Sequence, residues 1–245
     1  VKWVGLRWFD KFISGHYFSR LIKNTLILSG LNLLFGFTAP IFFALLLDQI
    51  KHTRFKKFIQ TASYMPYFIS TVVVAGMVIS FIDTDGLVTN LLMLLGFDRK
   101  NYHVEPSAFP WIYTITNVWK NFGFGSILYC SIISSIDPGL YEAAKLDGAT
   151  AWQIFWKIGV PLGYAGIFAA LVLNFIEGWN AVEQPLLFLK SQSNWPLSMY
   201  MNDIVTDNLG IAMAASLLSL IPAMLVFLYG QTYLELGIQA GGIKA

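Results

Sequence analysis

The sequence is poor in charge and nearly free of cysteine. Only 12% of its 245 residues are charged, against roughly 25% in a water-soluble domain. Its one cysteine, Cys130, excludes an intrachain disulfide. No phosphate-binding loop of the form Gly-x4-Gly-Lys-Ser/Thr occurs, so the chain is not expected to hydrolyse ATP. Because its histidines, His16, His52 and His103, lie far apart, we predict no metal site, and no catalytic residue stands out.

Apolar residues are abundant instead. The chain is 56% hydrophobic and 16% aromatic, and its mean hydropathy is +0.60. These values predict an all-α polytopic membrane protein with little room for an enzyme domain. The net charge of +2 is small and the basic residues are scattered, which argues against binding to nucleic acid.

Five charge-poor apolar runs are long enough to cross about 30 Å of hydrocarbon. They are residues 24–47, 58–82, 110–136, 161–183 and 208–233. We expect Pro66 to kink the second run near its beginning and Pro222 to break the fifth. Basic and aromatic residues alternate in residues 1–23, which predicts an amphipathic stretch on the membrane surface.

The distribution of lysine and arginine predicts the orientation. Helices that cross the membrane in sequence place residues 48–57, 137–160 and the tail 234–245 on one side. This side has seven lysine and arginine residues, and the loops 83–109 and 184–207 on the other side have three. The positive-inside rule makes the first side cytoplasmic. The five basic residues of 1–23 oppose this, and a further helix upstream of Val1 would remove the conflict.

Residues 137–161 form a polar insert with its own helix signals. Asp137 can cap a short helix that Pro138 begins and Gly148 ends. Thr150 restarts a helix, which we expect to run until Pro161 begins the next span. The predicted helix-turn-helix lies outside the bilayer and has an apolar surface of Tyr141, Leu146, Trp152 and Phe155.

The spacing of this insert resembles the EAA loop of binding-protein-dependent ABC importer permeases, the inner-membrane components of these systems. Glu142-Ala143-Ala144 is followed after three residues by Gly148, after nine more by Ile158, and then by Val160-Pro161, where the family pattern has Leu-Pro. The resemblance implies a transport subunit that is not an enzyme, with a coupling helix that docks on a cytoplasmic ATPase. The implied coupling residues are Tyr141, Glu142, Ala143, Ala144, Leu146, Gly148, Trp152, Ile158 and Pro161.

The same resemblance implies the assembly and its location. A second permease subunit, most simply a different chain, forms the pore with residues 24–233. Two ATPase subunits bind ATP and Mg²⁺, so this chain needs no cofactor. An extracellular solute-binding protein delivers the solute. The implied location is the bacterial cytoplasmic membrane. The family core has six spans, so the resemblance places the first span before Val1. Residues 55–58 and 64–67 are similar to those of carbohydrate permeases, and the tail 237–244 resembles that of the maltose-type partner permease.

Ionisable residues inside spans mark a candidate substrate path, because each costs at least about 2.5–3.5 kcal/mol at mid-membrane. Lys120 and Glu177 both lie in clusters that combine amides with aromatic rings, as sugar binding requires. The predicted path comprises Asn117, Trp119, Lys120, Asn174, Glu177, Trp179 and Asn180. The alternative is a purely structural role, in which Lys120 pairs with Glu177 or snorkels to the membrane surface.

Three other functions remain open on sequence. A permease of the same family could carry a solute other than a sugar. An ion-driven secondary transporter should show inverted repeats, and none is visible. An intramembrane enzyme needs several ionisable residues at one depth, and the spans carry few.

Overall fold

The computed structural model describes residues 4–189 and 192–242, and every regular element in those ranges is helical. The α-helices are α1 (Arg7–Ile13), α2 (Phe18–Leu31), α3 (Phe37–Asp48), α4 (Thr53–Tyr64), α5 (Thr71–Ile82), α6 (Leu87–Leu94), α7 (Phe109–Ser135), α8 (Pro138–Leu146), α9 (Ala151–Ile154), α10 (Val160–Trp179), α11 (Glu183–Phe188), α12 (Leu197–Asp207) and α13 (Leu209–Gly242). Wide π-helical turns cover Asn32–Gly36 and Phe155–Gly159, and 3₁₀ turns cover Met65–Phe68, Tyr102–Val104 and Gln192–Asn194.

The first span is one unbroken rod, Phe18–Asp48, in which the π turn joins α2 to α3. Pro40 lies inside α3. A proline cannot donate to the carbonyl four residues earlier, and its ring crowds that carbonyl. Here that residue is Gly36, the last of the π turn, so the wider turn accommodates the proline without a break.

The second predicted span is sharply bent rather than gently kinked. Helices α4 and α5 meet at 96°, with the break after the 3₁₀ turn that contains Pro66. Ile69, the residue that ends this turn, is extended, with ψ of 133°. The predicted position of the kink is confirmed, and the bend is larger because the helix stops and restarts.

Within the described residues, length and composition identify three helical segments that can cross a bilayer, namely Phe18–Asp48, Trp152–Phe188 and Leu209–Leu236, and a fourth when α4 and α5 count as one. The remaining predicted span, α7, has 27 residues. At 1.5 Å per residue it is about 40 Å long, but its polar residues lower its hydropathy. Several of them are buried: Thr114 donates to the carbonyl of Pro110 at 2.7 Å and Ser126 to that of Gly123 at 2.6 Å.

Two predicted breaks are wrong. Pro222 lies inside α13, which continues to Gly242 and so extends into the predicted tail. Pro161 does not start a new helix, because α9, the π turn and α10 are continuous. Proline is tolerated in membrane helices where neighbouring groups and local π adjustments satisfy the freed carbonyls. Residues 243–245 of the predicted tail lie outside the described residues.

The N-terminal stretch packs on protein at one end of the bundle. Phe12 and Leu21 are buried with Leu197 and Ala215 of α12 and α13. The backbone N–H of Leu197 donates to Thr25 Oγ1 at 2.8 Å, which ties α12 to the first span. These helices therefore cover Phe12 and Leu21, while Leu6 and Ile13 stay exposed. Residues 4–23 lie at the same end of the bundle as residues 192–207. That this stretch lies on the membrane surface stays a prediction.

Candidate coupling and translocation sites

Contacts between residues close in sequence build the insert. The Asp137 carboxylate accepts from the Gly139 N–H at 2.9 Å, and Pro138 takes the first helical position of α8. Gly148 has a φ of +76°, and the N–H of the following residue, Ala149, bonds to the carbonyl of Ala144 at 2.9 Å. Both ends of α8 are thus closed in the way that the sequence predicts.

A reciprocal cap starts α9. The Thr150 N–H donates to Gln153 Oε1 at 2.8 Å, and the Gln153 N–H donates to Thr150 Oγ1 at 3.3 Å. This capping box satisfies a backbone donor at each end of the first turn of α9.

The two faces of this coupling hairpin, α8 with α9, differ. Leu146 is 88% exposed and Trp152 62% exposed, at the outer side of the hairpin. Tyr141 and Phe155, which we expected on the same surface, are instead half-buried and line a cleft of about 460 Å³ between α8 and the end of the first span. Burial there, and secondarily Asp48, raise the pKa of Tyr141. Glu142 also lines the cleft. Among the other predicted coupling residues, Ala143 and Pro161 are exposed, and Ala144 and Ile158 are half-buried.

A cluster of amide side chains lies deep in the bundle. Asn32, in the first π turn and only 2% exposed, accepts from Asn117 Nδ2 and donates to Asn174 Oδ1 at 3.3 Å. Asn117 Oδ1 accepts from Asn121 at 2.6 Å and from Gln184 at 3.2 Å. The amide cluster therefore joins the first span, α7, α10 and α11.

Glycines make room for this amide cluster. A Cβ at Gly178 would lie 2.8 Å from Asn32 Nδ2, and one at Gly36 would lie 2.7 Å from Asn32 Oδ1. Asn32 can therefore sit between the first span and α10 only because both residues lack a side chain.

Lys120 and Glu177 do not pair. In the described part of the chain the ion pairs are Arg99 with Asp85 and Lys100 with Glu105, all in the loop 83–109. Lys120 is half-buried, with Nζ 5.7 Å from the centre of the Tyr67 ring, which stacks on Phe124 at 3.9 Å. Glu177 is exposed. The structure thus contradicts the ion pair between them, which was part of the alternative reading.

Two residues of the predicted path make helix contacts of their own. Trp179 is buried, and its indole N–H donates to the carbonyl of Ser219 at 3.0 Å, which holds α10 on α13. Asn180 is exposed and donates to the carbonyl of Ile176 at 3.0 Å. Trp119 is 42% exposed. The structure therefore brings together Asn117 and Asn174 but places Trp179 in the packing between helices.

Sequence reasoning missed Asn32 and Gln184. Asn32 is an amide well inside an uncharged apolar run, with a glycine four residues later, and this pattern was the available signal. Gln184 lies one residue after Glu183, in a loop that we read as a connection. Its Oε1 is buried with no hydrogen-bond partner in the described residues.

The chain is similar to characterised transport proteins. It is 37% identical over 174 residues to the polygalacturonan/rhamnogalacturonan transport system permease protein YteP of Bacillus subtilis, which covers 71% of this chain and 54% of YteP. The chain thus spans about half the length of the curated relatives that it matches. Its fold matches a crystal structure of a bacterial ABC transporter that imports the acidic polysaccharide alginate, with a TM-score of 0.83 and 35% identity over 95% of this chain and 84% of that one. A second structure, of the alginate transporter with a pentasaccharide-bound periplasmic protein, matches equally well, again with a TM-score of 0.83 and 35% identity, over 93% of this chain and 81% of that one.

The family comparison agrees with the spacing of the insert and with the helical bundle. The matched segment, residues 36–239, contains the coupling hairpin and most of the helices described above. The chain belongs to the family described as the binding-protein-dependent transport system inner membrane component.

Proposed function

We propose that this chain is a membrane-spanning subunit of an ABC importer that carries an acidic oligosaccharide inward by alternating access. Family membership and the hairpin geometry support the transport role. The polysaccharides named for the similar proteins, polygalacturonan and alginate, support the solute class. Each is a polymer of sugars that bear carboxylates.

Lys120, an unpaired cation within the bundle, carries this proposal. A lysine at mid-membrane costs at least about 2.5–3.5 kcal/mol unless it faces water or a counter-charge. No carboxylate lies within 4.0 Å of Lys120 in the described ranges, and its ring contact with Tyr67 leaves Nζ able to donate. A carboxylate on the solute supplies the missing counter-charge.

The amide cluster suits the rest of such a solute. Asn121, adjacent in sequence to Lys120, belongs to the cluster through Asn117. Gln184 Oε1 is a buried acceptor to which no group in the described chain donates. A sugar hydroxyl can supply the missing donor. Buried polar groups gain little from an apolar solute, because they stay unpaired.

The proposed assembly follows the coupling hairpin. Leu146 and Trp152, exposed at the end of the bundle opposite the N-terminal stretch, are apolar anchors of the kind that dominate interface energies. We assign them to an ATPase subunit, one of two, on the cytoplasmic side of a bacterial inner membrane. A second permease subunit and an extracellular solute-binding protein complete the importer.

Uptake in proteoliposomes tests the function. The assembled transporter, with its binding protein outside and ATP inside, is given labelled oligogalacturonate or a neutral oligosaccharide of equal length. We expect vanadate-sensitive uptake of the acidic sugar, lost at least about tenfold in Lys120→Gln and largely retained in Lys120→Arg. A tenfold loss corresponds to about 1.4 kcal/mol, roughly half of the cost of an unpaired lysine at mid-membrane.

Lys11→Gln is the matched control, because Lys11 also lies over an aromatic ring, Trp8, but is exposed at the end of the bundle. Uptake driven by an ion gradient without ATP would instead identify a secondary transporter. ATP-driven uptake of a non-sugar solute alone would leave the family intact and overturn the sugar. Equal uptake by Lys120→Gln and the parent chain would remove Lys120 from the path.

A further inference from the structure

Helix α4 has an exposed arc that the transport role does not use. Its residues at i, i+3, i+4 and i+7, namely Lys56, Ile59, Gln60 and Ser63, are half-buried against the bundle. The outer arc carries Arg54, Phe55, Lys57, Phe58, Thr61 and Ala62, all exposed. Cations and aromatic rings therefore alternate along one face, with Phe55 54% and Phe58 68% exposed.

The charge of this segment is unopposed. Lys51, Arg54, Lys56 and Lys57 lie within seven residues, and none of them forms an ion pair in the described chain. The nearest acidic residue in sequence is Asp48, which lines the cleft beneath α8. The arc thus lies at the same end of the bundle as the coupling hairpin, which the positive-inside rule places in the cytoplasm.

Packing holds the arc in place. The C-terminal end of α4 approaches α7 closely, where the Ser63 carbonyl lies too near Gly123 for a Cβ to fit, and the Tyr67–Phe124 stack follows. The 96° bend after α4 turns it away from the axis of α5. The first two turns of α4 are therefore anchored from behind, and their basic and aromatic side chains point outward.

We propose that this arc, with the exposed Lys51 just before α4, binds anionic phospholipid headgroups of the cytoplasmic leaflet. Lys51, Arg54 and Lys57 lie at the phosphates, and Phe55 and Phe58 lie at the acyl boundary. Charge complementarity favours this occupant, because basic clusters directly cytoplasmic of a span are attracted to an anionic membrane surface. Aromatic side chains between the cations match the interfacial depth of an amphipathic helix. This inference does not depend on which solute is transported.

Native mass spectrometry of the purified assembly tests the proposal. The assembly is titrated with phosphatidylglycerol or with phosphatidylcholine, and the bound lipids are counted. We expect selective retention of phosphatidylglycerol, weakened about fivefold per cation removed and so by about a hundredfold in the triple variant Lys51→Gln/Arg54→Gln/Lys57→Gln. Added salt should weaken it in parallel, and binding of phosphatidylcholine should not change.

Arg99→Gln/Lys100→Gln is the control, because it removes two cations that already have carboxylate partners. Thermal unfolding checks that each variant is folded, which exposed substitutions should permit. Unchanged phosphatidylglycerol binding in the triple variant overturns the proposal. The proposal is also overturned if the triple variant, with no anionic lipid present, loses its ATPase subunits and yet keeps its preference for phosphatidylglycerol. The cations would then be assigned to protein docking.

Discussion

The coupling hairpin and the amide cluster are both polar sites in an apolar chain, yet different contacts hold them. In the hairpin, bonds between residues two to five positions apart shape each turn, as from Gly139 to Asp137. In the amide cluster, partners are far apart in sequence: Asn32 and Asn174 are separated by 142 residues. Substitutions in the hairpin should therefore destabilise the hairpin alone, whereas substitutions in the amide cluster should destabilise the four helical segments that it joins.

Replacing the central member of the amide cluster should have the largest effect. Asn32→Leu leaves Asn117 and Asn174 without their partner in a buried site. Each unpaired buried polar group costs about 1–3 kcal/mol, so with two such groups we expect the free energy of unfolding to fall by about 2–6 kcal/mol. Unfolding in detergent, followed by tryptophan fluorescence, measures this. Asn180→Leu, at an exposed amide, should change it by less than about 1 kcal/mol.

A smaller loss should follow from filling the space beside Asn32. The Cβ of Gly178→Ala would lie 2.8 Å from Asn32 Nδ2, so the amide must shift or α10 must move. Such overpacking costs about 1–3 kcal/mol. Gly76→Ala in α5 is the control, because no atom lies within 4 Å of the added Cβ. Equal stability of the two variants would show that the amide cluster relaxes freely.

A glycine-to-alanine substitution in the hairpin should act through the backbone conformation alone. Gly148→Ala meets no atom within 4 Å, but its φ of +76° is unfavourable for alanine by about 1–2 kcal/mol. We expect faster hydrogen exchange in residues 138–146, little change in the spans, and fewer solute molecules imported per ATP. Gly139→Ala, where φ is not positive, should leave exchange nearly unchanged. Faster exchange throughout the bundle would contradict a local role.

This difference also explains what the sequence could predict. Asp137, Gly148 and Thr150 act through neighbours that are visible in the sequence, so their roles as helix ends could be predicted. The meeting of Asn32 with Asn117 depends on how distant helices pack, and no local pattern encodes it. Pro161 and Pro222 misled for a related reason, since proline breaks an isolated helix but not one whose freed carbonyls are satisfied by π turns or neighbouring helices.

The smallest effect on stability is expected at the surface of the hairpin. Trp152 is 62% exposed and contacts the rings of Phe155 and Trp156, so Trp152→Ala should change the free energy of unfolding by no more than about 0.5 kcal/mol. Replacing a buried aromatic anchor by alanine typically weakens a protein interface by about 2 kcal/mol or more. The same variant should therefore release the ATPase subunits at least about tenfold more readily. Co-purification under dilution measures this. Trp111→Ala, at a tryptophan 52% exposed at the start of α7, should retain them. If both variants retain the ATPase equally, Trp152 is not an anchor, and the hairpin must dock through the backbone and small residues of α8 instead.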